Sequence, residues 1–581
     1  MNQHPDFILN KINGPQDLKK LNLDQMKKLA QEIRTLILEK DSVEGGHLGP
    51  DLGIVETTIA YHYVFDAPKD KIVWDVSHQT YPHKMLTGRA LAWLDPDHYE
   101  DVTPYTNPDE SPYDYYAVGH TSTSVALATG MAKARDLIDG HENIMALIGD
   151  GSMTGGLAFE GLNNAAIEKH NLVVVVNDNE WSIDENVGGM VTALKKLRDS
   201  NGQSPENPFK VMGFDYRYVA EGNDIEKMIA AFQDVKDVDH PILLHIHTLK
   251  GKGYKPAIDD EEAHHWVLPF DLKTDKTTVP ATSGPTAKSV VIDQVIKHIK
   301  NGEKIMTINA AIPGVFGLDE IKNEYPDHYT DVGIAEQESV AFAAGAVKEG
   351  AVPILFENST FLQRAFDQLS HDVAANDLPV VMMVANGGIS NGSKTHLGIF
   401  DQVMISNLPN WIYLAPTTLN EEKAMLDWAI KQRKHPVAIK MPIKPVPEGE
   451  DVEADFDQIK YQIKKGKKVA ILALGDFYGL GQEVADEIGA TLVNPVSANI
   501  LDKKALDQLA ADHELVVTLE DNSLDGGFGQ KVASYLGSKV KVLNYGQRRE
   551  YTDQTPLEKI YRDNHLTKEQ ITTDIKKVLA K

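Results

Sequence analysis

Asp150 stands between two glycines where the apolar run Ile144–Gly149 stops, and Asn179 follows a second apolar run, Leu172–Asn177. If these runs are neighbouring parallel strands joined by a helix over residues 152–170, the two side chains meet at the carboxyl edge of a sheet. Open α/β sheets bind their ligands at that edge. One anionic and one neutral oxygen donor placed there suit a hard cation such as Mg²⁺. Gly151, Gly155 and Gly156 let phosphate oxygens approach backbone N–H groups near a helix N-terminus, whose dipole also favours an anion. The chemistry this predicts is a diphosphate held through Mg²⁺. A GDG on its own also reads as a tight strand–helix turn with Asp as N-cap, so other residues must decide.

The elements that would position these groups follow from periodicity. A first helix is predicted over residues 24–40, where Met26, Leu29, Ile33 and Leu36 recur at three and four. From there to about Asp271, short β-branched runs alternate with helical patterns, as expected of a parallel sheet covered on both faces. Lys273–Lys288 is rich in Thr, Pro, Ser and Gly and reads as a linker. A second alternating region has "KIMTINAA", "VPILFE" and "LPVVMMVANGG" as strands and ends in the Pro-rich, acidic stretch Met441–Gln458. The last region offers "KVAILALG", "ATLVNPV", "ELVVTLED" and "VKVLNYG" as strands of a smaller α/β domain. The expected fold class is therefore α/β, in three domains over residues 1–272, 289–445 and 460–581.

Composition bounds the partners. The chain has 581 residues, too many for one core, and 42% apolar residues, enough for packed interiors. A net charge of −27 repels nucleic acid and anionic bilayers. With no cysteine there is no disulfide, thiolate nucleophile or Cys-ligated metal, which fits a reducing compartment. No apolar run reaches the ~20 residues of a membrane span, and the opening residues lack the order of a signal peptide. A cytoplasmic protein is expected.

GDG followed by N-D-N is the thiamine-diphosphate fingerprint, and five further stretches extend the likeness. They are "GGHLGPDLGIVE" (Gly45–Glu56), "IVWDVSHQTYPHKMLTGR" (Ile72–Arg89), "VGHTSTS" (Val118–Ser124), "DVGIAEQ" (Asp331–Gln337) and "STFLQRAFDQ" (Ser359–Gln368). From about residue 20 to its end the chain resembles the 1-deoxy-D-xylulose-5-phosphate synthase family, thiamine-diphosphate enzymes related to transketolase. The resemblance implies a diphosphate-binding, a pyrimidine-binding and a C-terminal domain in that order, and a homodimer. It implies transfer of a two-carbon unit from pyruvate, with loss of CO₂, to an aldehyde, glyceraldehyde 3-phosphate in the family.

The same resemblance implies roles. Asp150, Asn179 and the Trp181 carbonyl would ligate Mg²⁺, and Lys250 in "LKGKGY" would contact the diphosphate unless it is a solvated surface lysine. Glu336, where a strand edge passes into an apolar helix, would bond the pyrimidine ring nitrogen, and partial burial raises a carboxyl's pKa toward what this exchange needs. Phe361 would stack on the pyrimidine. His47, His78, His120 and His265 match the family's active-site set, and His396 would face the acceptor. Gly119, Thr121, Gly149, Gly151, Ser152 and Arg364 complete the implied cofactor contacts.

Departures cluster at the acceptor end. Asn386 and Ile443 stand where the family has two phosphate-gripping arginines, and neither replaces a guanidinium fork. Arg364, Lys394, Lys440 and Lys444 are the basic residues able to compensate. Asn358 replaces a tyrosine and Glu338 a histidine, a segment between Arg89 and Asp114 is missing, and the insertion after "NVGG" is shorter.

Overall fold

A computed structural model describes residues 3–280, 284–452 and 455–580. Residues 281–283 of the first linker, 453–454 of the acidic connection and the outer ends of the expected first and third domains lie outside the described residues. The chain divides into two compact units, Met1–Thr282 with Gly333–Ala335, and Ser283–Val332 with Glu336–Lys581.

In the first unit a 3₁₀ turn Ile8–Lys11 and a short helix Pro15–Leu18 precede the helix expected over residues 24–40, which runs Leu23–Glu44, longer than its periodicity predicts at the C-terminal end. Asn22 and Gln25 close a capping box at its start, and Gly45, at φ 79°, ends it. Five parallel strands follow: β1 (Lys71–Trp74), β2 (Ile144–Gly149), β3 (Leu172–Asp178), β4 (Asp215–Val219) and β5 (Pro241–His247). Their order is β1-β2-β3-β5-β4. β2 and β3 are neighbours, as their apolar runs predict, and both are buried almost throughout. The helix between them is shorter than residues 152–170: a 3₁₀ turn Ser152–Thr154, then Gly156–Ala165. A small hairpin, β6 (Phe270–Asp271) and β7 (Lys276–Thr277), precedes the unit's end.

The second unit holds two sheets. The first has β8 (Ile305–Asn309), β9 (Tyr329–Asp331), β10 (Val352–Asn358), β11 (Val381–Ala385), β12 (Ile412–Leu414) and β13 (Val437–Lys440), ordered β12-β13-β11-β10-β8-β9 and all parallel. Strand order reverses between β8 and β10, the kind of place where open α/β sheets bind ligands. The other has β14 (Gln462–Lys464), β15 (Val469–Ala473), β16 (Thr491–Asn494), β17 (Leu515–Ser523) and β18 (Lys541–Gln547), ordered β14-β16-β15-β17-β18. The four strands expected in the last region are β15 to β18. β14, exposed at all three residues and antiparallel, has no apolar run to announce it.

Candidate active site

β2 and β3 set Gly149 opposite Asn177, so Asp150 and Asn179 leave the same sheet edge. Asp150 is 3% exposed. Its carboxylate accepts from the N–H groups of Gly151 (3.0 Å) and Glu180 (2.7 Å) and from Asn186 Nδ2 (3.0 Å). It thus clasps the turn after β3 rather than capping a helix. Burial and the adjacent Asp178 push its pKa well above the carboxylate range. Asp178, against its own desolvation, is held down to about 2 by His245 (2.8 Å) and Arg198 (2.6 Å).

Asn179 Oδ1 accepts from the Trp181 N–H at 3.2 Å, and Trp181 pairs with Glu185 across this turn. Asp150, Asn179 and the Trp181 carbonyl are all oxygen donors on two adjoining turns, a set that fits a hard cation. Among the described residues no group of three or more His, Asp or Glu is arranged to hold a metal. A set with a single carboxylate does not depend on such a group.

The open-backbone reading of the glycines divides. Nothing lies within 4 Å of where a Cβ would sit on Gly149 or Gly156, whereas on Gly151 it would meet Ser182 Cβ at 2.6 Å, and on Gly155 the Ser122 hydroxyl. The last two glycines are required by the protein's own close packing. Gly119, His120 and Thr121 lie in the turn before helix Ser124–Leu137. That turn is shaped by Asp75, which accepts from the N–H groups of Ser122 (2.7 Å) and Ser124 (2.9 Å), and Ser122 Oγ donates to the Ser152 carbonyl at 2.7 Å. Ser152 and the 119–121 turn are thereby brought together.

Lys250 is no solvated surface lysine. It is 1% exposed, donates from Nζ to the Ser182 carbonyl at 2.7 Å and lies 5.8 Å from the Trp181 ring. Burial pulls its pKa down to about 8. His265 Nδ1 also reaches the Ser182 carbonyl, at 2.9 Å. His47, His78 and His265 gather with ring centroids 5.1, 5.3 and 5.9 Å apart, and Tyr105 joins them 5.7 Å from His47. Burial, then Lys250 and the other two imidazoles, drive the pKa of His265 well down.

In the second unit Glu336 opens helix Glu336–Lys348 and is 2% exposed, more buried than its sequence context predicts. Its Oε2 accepts from Arg364 Nη1 at 3.3 Å. Phe361 sits edge-on to His396, with centroids 5.7 Å apart. Burial, with Arg364 nearby, lowers the His396 pKa to about 4. Sequence reasoning misses Glu357, at the end of β10 and 1% exposed, whose pKa burial and Glu336 raise to about 8. It lies inside a run read only as a strand, and nothing in its spacing marks it. Ser182, Ser122, Asp75 and Tyr105 were missed likewise.

The residues able to compensate for Asn386 and Ile443 are engaged elsewhere. Lys440 is buried between Asp521 (2.5 Å) and Asp476 (3.7 Å), and Arg364 faces Glu336. Lys394 Nζ lies 3.8 Å from Asp553, and Lys444 donates to Tyr561 Oη at 2.5 Å. Asn386 takes a left-handed φ of 53°, which suits asparagine. Asn358 is the N-cap of helix Ser359–Leu362, accepting from the Thr360 N–H at 3.2 Å, and Glu338 is exposed.

Comparison with known proteins covers nearly the whole chain. Residues 9–204 match the family model described as 1-deoxy-D-xylulose-5-phosphate synthase, and 116–310 that of the transketolase thiamine diphosphate binding domain. Residues 285–447 match the transketolase pyrimidine binding domain and 458–571 the transketolase C-terminal domain. The 1-deoxy-D-xylulose-5-phosphate synthase of Syntrophomonas wolfei is 36% identical over 98% of this chain and 96% of its own. Synthase 1 of Geobacter sulfurreducens is 36% identical over 96% of this chain and 95% of its own. The Clostridium perfringens synthase is 33% identical over 98% of this chain and 100% of its own.

Proposed function

The chain belongs to the 1-deoxy-D-xylulose-5-phosphate synthase family, and on that premise we propose that it condenses pyruvate, with decarboxylation, and glyceraldehyde 3-phosphate to 1-deoxy-D-xylulose 5-phosphate and CO₂. It is a thiamine-diphosphate-dependent transferase. Thiamine diphosphate, when bound, supplies the carbanion-stabilising chemistry that this reaction needs.

One observation carries the reading. The turn 179–182 is gripped by the Asp150 carboxylate at the Glu180 N–H, and by buried Lys250 at the Ser182 carbonyl. A cation-ligand set and an ammonium without a bulk-water shell thus share one turn, which is what a metal-bridged diphosphate requires. Asp150, Asn179 and the Trp181 carbonyl would ligate Mg²⁺, Lys250 would offset phosphate charge, and Gly119, His120, Thr121, Gly149, Gly151 and Ser152 would border it. Glu336 would hydrogen-bond the pyrimidine through its carboxyl, oriented by Arg364, with Phe361 against the ring. His265 and His396, neutral at pH 7, each offer one donor and one acceptor. With His47 and His78 they would bind substrate oxygens and move protons.

The enzyme would act as a homodimer in the cytoplasm. Such an assembly has exposed apolar residues to cover, Phe159 and Phe342 among them, and no helix among the described residues is long and apolar enough to cross a membrane.

The test supplies protein, Mg²⁺, thiamine diphosphate and pyruvate and follows CO₂. Release stimulated by glyceraldehyde 3-phosphate is expected. The carboxylates around Lys440 favour a second reading, the same transfer to another aldehyde. Stimulation only by unphosphorylated aldehydes would establish it, and no release with any acceptor would overturn both.

A further inference from the structure

Ser339 lies in the first turn of the helix that Glu336 opens, and its hydroxyl has two oxygen neighbours but one proton. Oγ is 2.8 Å from the Glu336 carbonyl and 2.5 Å from Glu357 Oε1. A backbone carbonyl only accepts, so both contacts are hydrogen bonds only if a second proton is present, and of the three groups the Glu357 carboxyl alone can carry it. Glu336, Ser339 and Glu357 are all buried, which makes an unmade bond between any two of them costly.

Resting on the reading of Glu336 given above, we propose that Glu357 is a positioning residue that stays protonated at neutral pH, holds the first turn of the Glu336 helix through Ser339, and keeps this cluster from carrying a second buried carboxylate. The charged groups facing it are Glu336 and, from the end of β9, Asp331, and both oppose its ionisation. Arg364 reaches Glu336 instead. Burial and Glu336 push its pKa from 4.5 up to about 8, in keeping with the geometry. The stability its neutral form contributes is complete below 4.5 and is lost as pH rises through about 8. Ionisation would turn the Ser339 proton toward Glu357 and release the Glu336 carbonyl.

The test uses the full chain. In the loaded enzyme, kcat should fall on the alkaline side with an apparent pKa near 8, and Glu357→Gln, whose amide donates to Ser339 without titrating, should lack that limb. Glu357→Ala should lower kcat at neutral pH by about tenfold to a hundredfold with little change in KM, and Glu357→Gln should recover most of the loss. Independently of turnover, infrared titration of the cofactor-free protein should show a protonated-carboxyl band at pH 7 that disappears in Glu357→Gln. Ser339→Ala, which keeps the carboxyl but removes its partner, should shift that band. No such band at neutral pH, or an alkaline limb surviving in Glu357→Gln, would overturn the proposal. Were the chain to turn over no substrate, the function reading would fail, while a band that titrates as described would still support the proton on Glu357.

Discussion

The Asp150 cluster and the Glu336 cluster are built on opposite electrostatic plans. At Asp150 and Lys250 the hydrogen bonds are to neutral groups: the Asp150 carboxyl takes N–H groups from two turns, and Lys250 donates to a backbone carbonyl, while the paired charges Asp178 and Arg198 stand beside them. In the second unit charge is matched within the protein, Arg364 on Glu336 and Lys440 between two aspartates. A buried charge held only by dipoles keeps most of its affinity for a counter-ion, whereas a paired one has satisfied it. On the proposed function the first region would receive charge from a ligand, while in the second the ion pairs hold Glu336 and Lys440 in place.

Glu336→Ala breaks the comparison most sharply. It should lower kcat by about a hundredfold to ten-thousandfold while cofactor affinity, read by calorimetry, changes far less. Equal losses in both would erase the distinction. Next, Lys440→Met should cost about 3–5 kcal/mol in denaturant unfolding, because it leaves Asp521 and Asp476 buried and uncompensated.

Lys250→Met should act in the other direction. Burial lowers the Lys250 pKa from 10.5 to about 8, so between those values the unfolded chain binds more protons and the natural protein gains stability as pH rises. Below pH 8 the penalty is fully present, roughly 3–4 kcal/mol at 1.4 per unit. The cofactor-free variant should therefore melt higher at pH 7, its advantage closing toward pH 10.5, while diphosphate affinity falls about tenfold to a hundredfold. A lower melting temperature at pH 7 would mean the ammonium is already compensated. Smallest, Asn358→Ala should cost about 1 kcal/mol as a lost N-cap, seen as a modest fall in melting temperature.

What the sequence made legible follows the same division. β2 and β3 are unbroken apolar runs, and Asp150 and Asn179 lie where those runs stop, so their meeting follows from strand pairing alone. β4, "DYRYV", alternates polar residues at the sheet edge and gives no such signal. The depth of Lys250 and the crowding at Gly151 depend on a turn folded over them, which local composition does not encode. The link from Ser339 to Glu357 joins a helix to a strand through side chains alone, so no periodicity reports it.

The register of β2 against β3 also bears on how this chain tolerates insertions. Gly149 faces Asn177 across the ladder, and that pairing, not the number of residues between them, sets where Asp150 and Asn179 emerge. The stretch after helix Gly156–Ala165 is partly open, with Ile167 73% exposed, and added residues there would bulge into solvent while Asp150 and Asn179 stay put. One residue added within either strand would turn its side chains to the opposite face. Lengthening between Asp150 and Asn179 is thus cheap, and a shift along either strand is not.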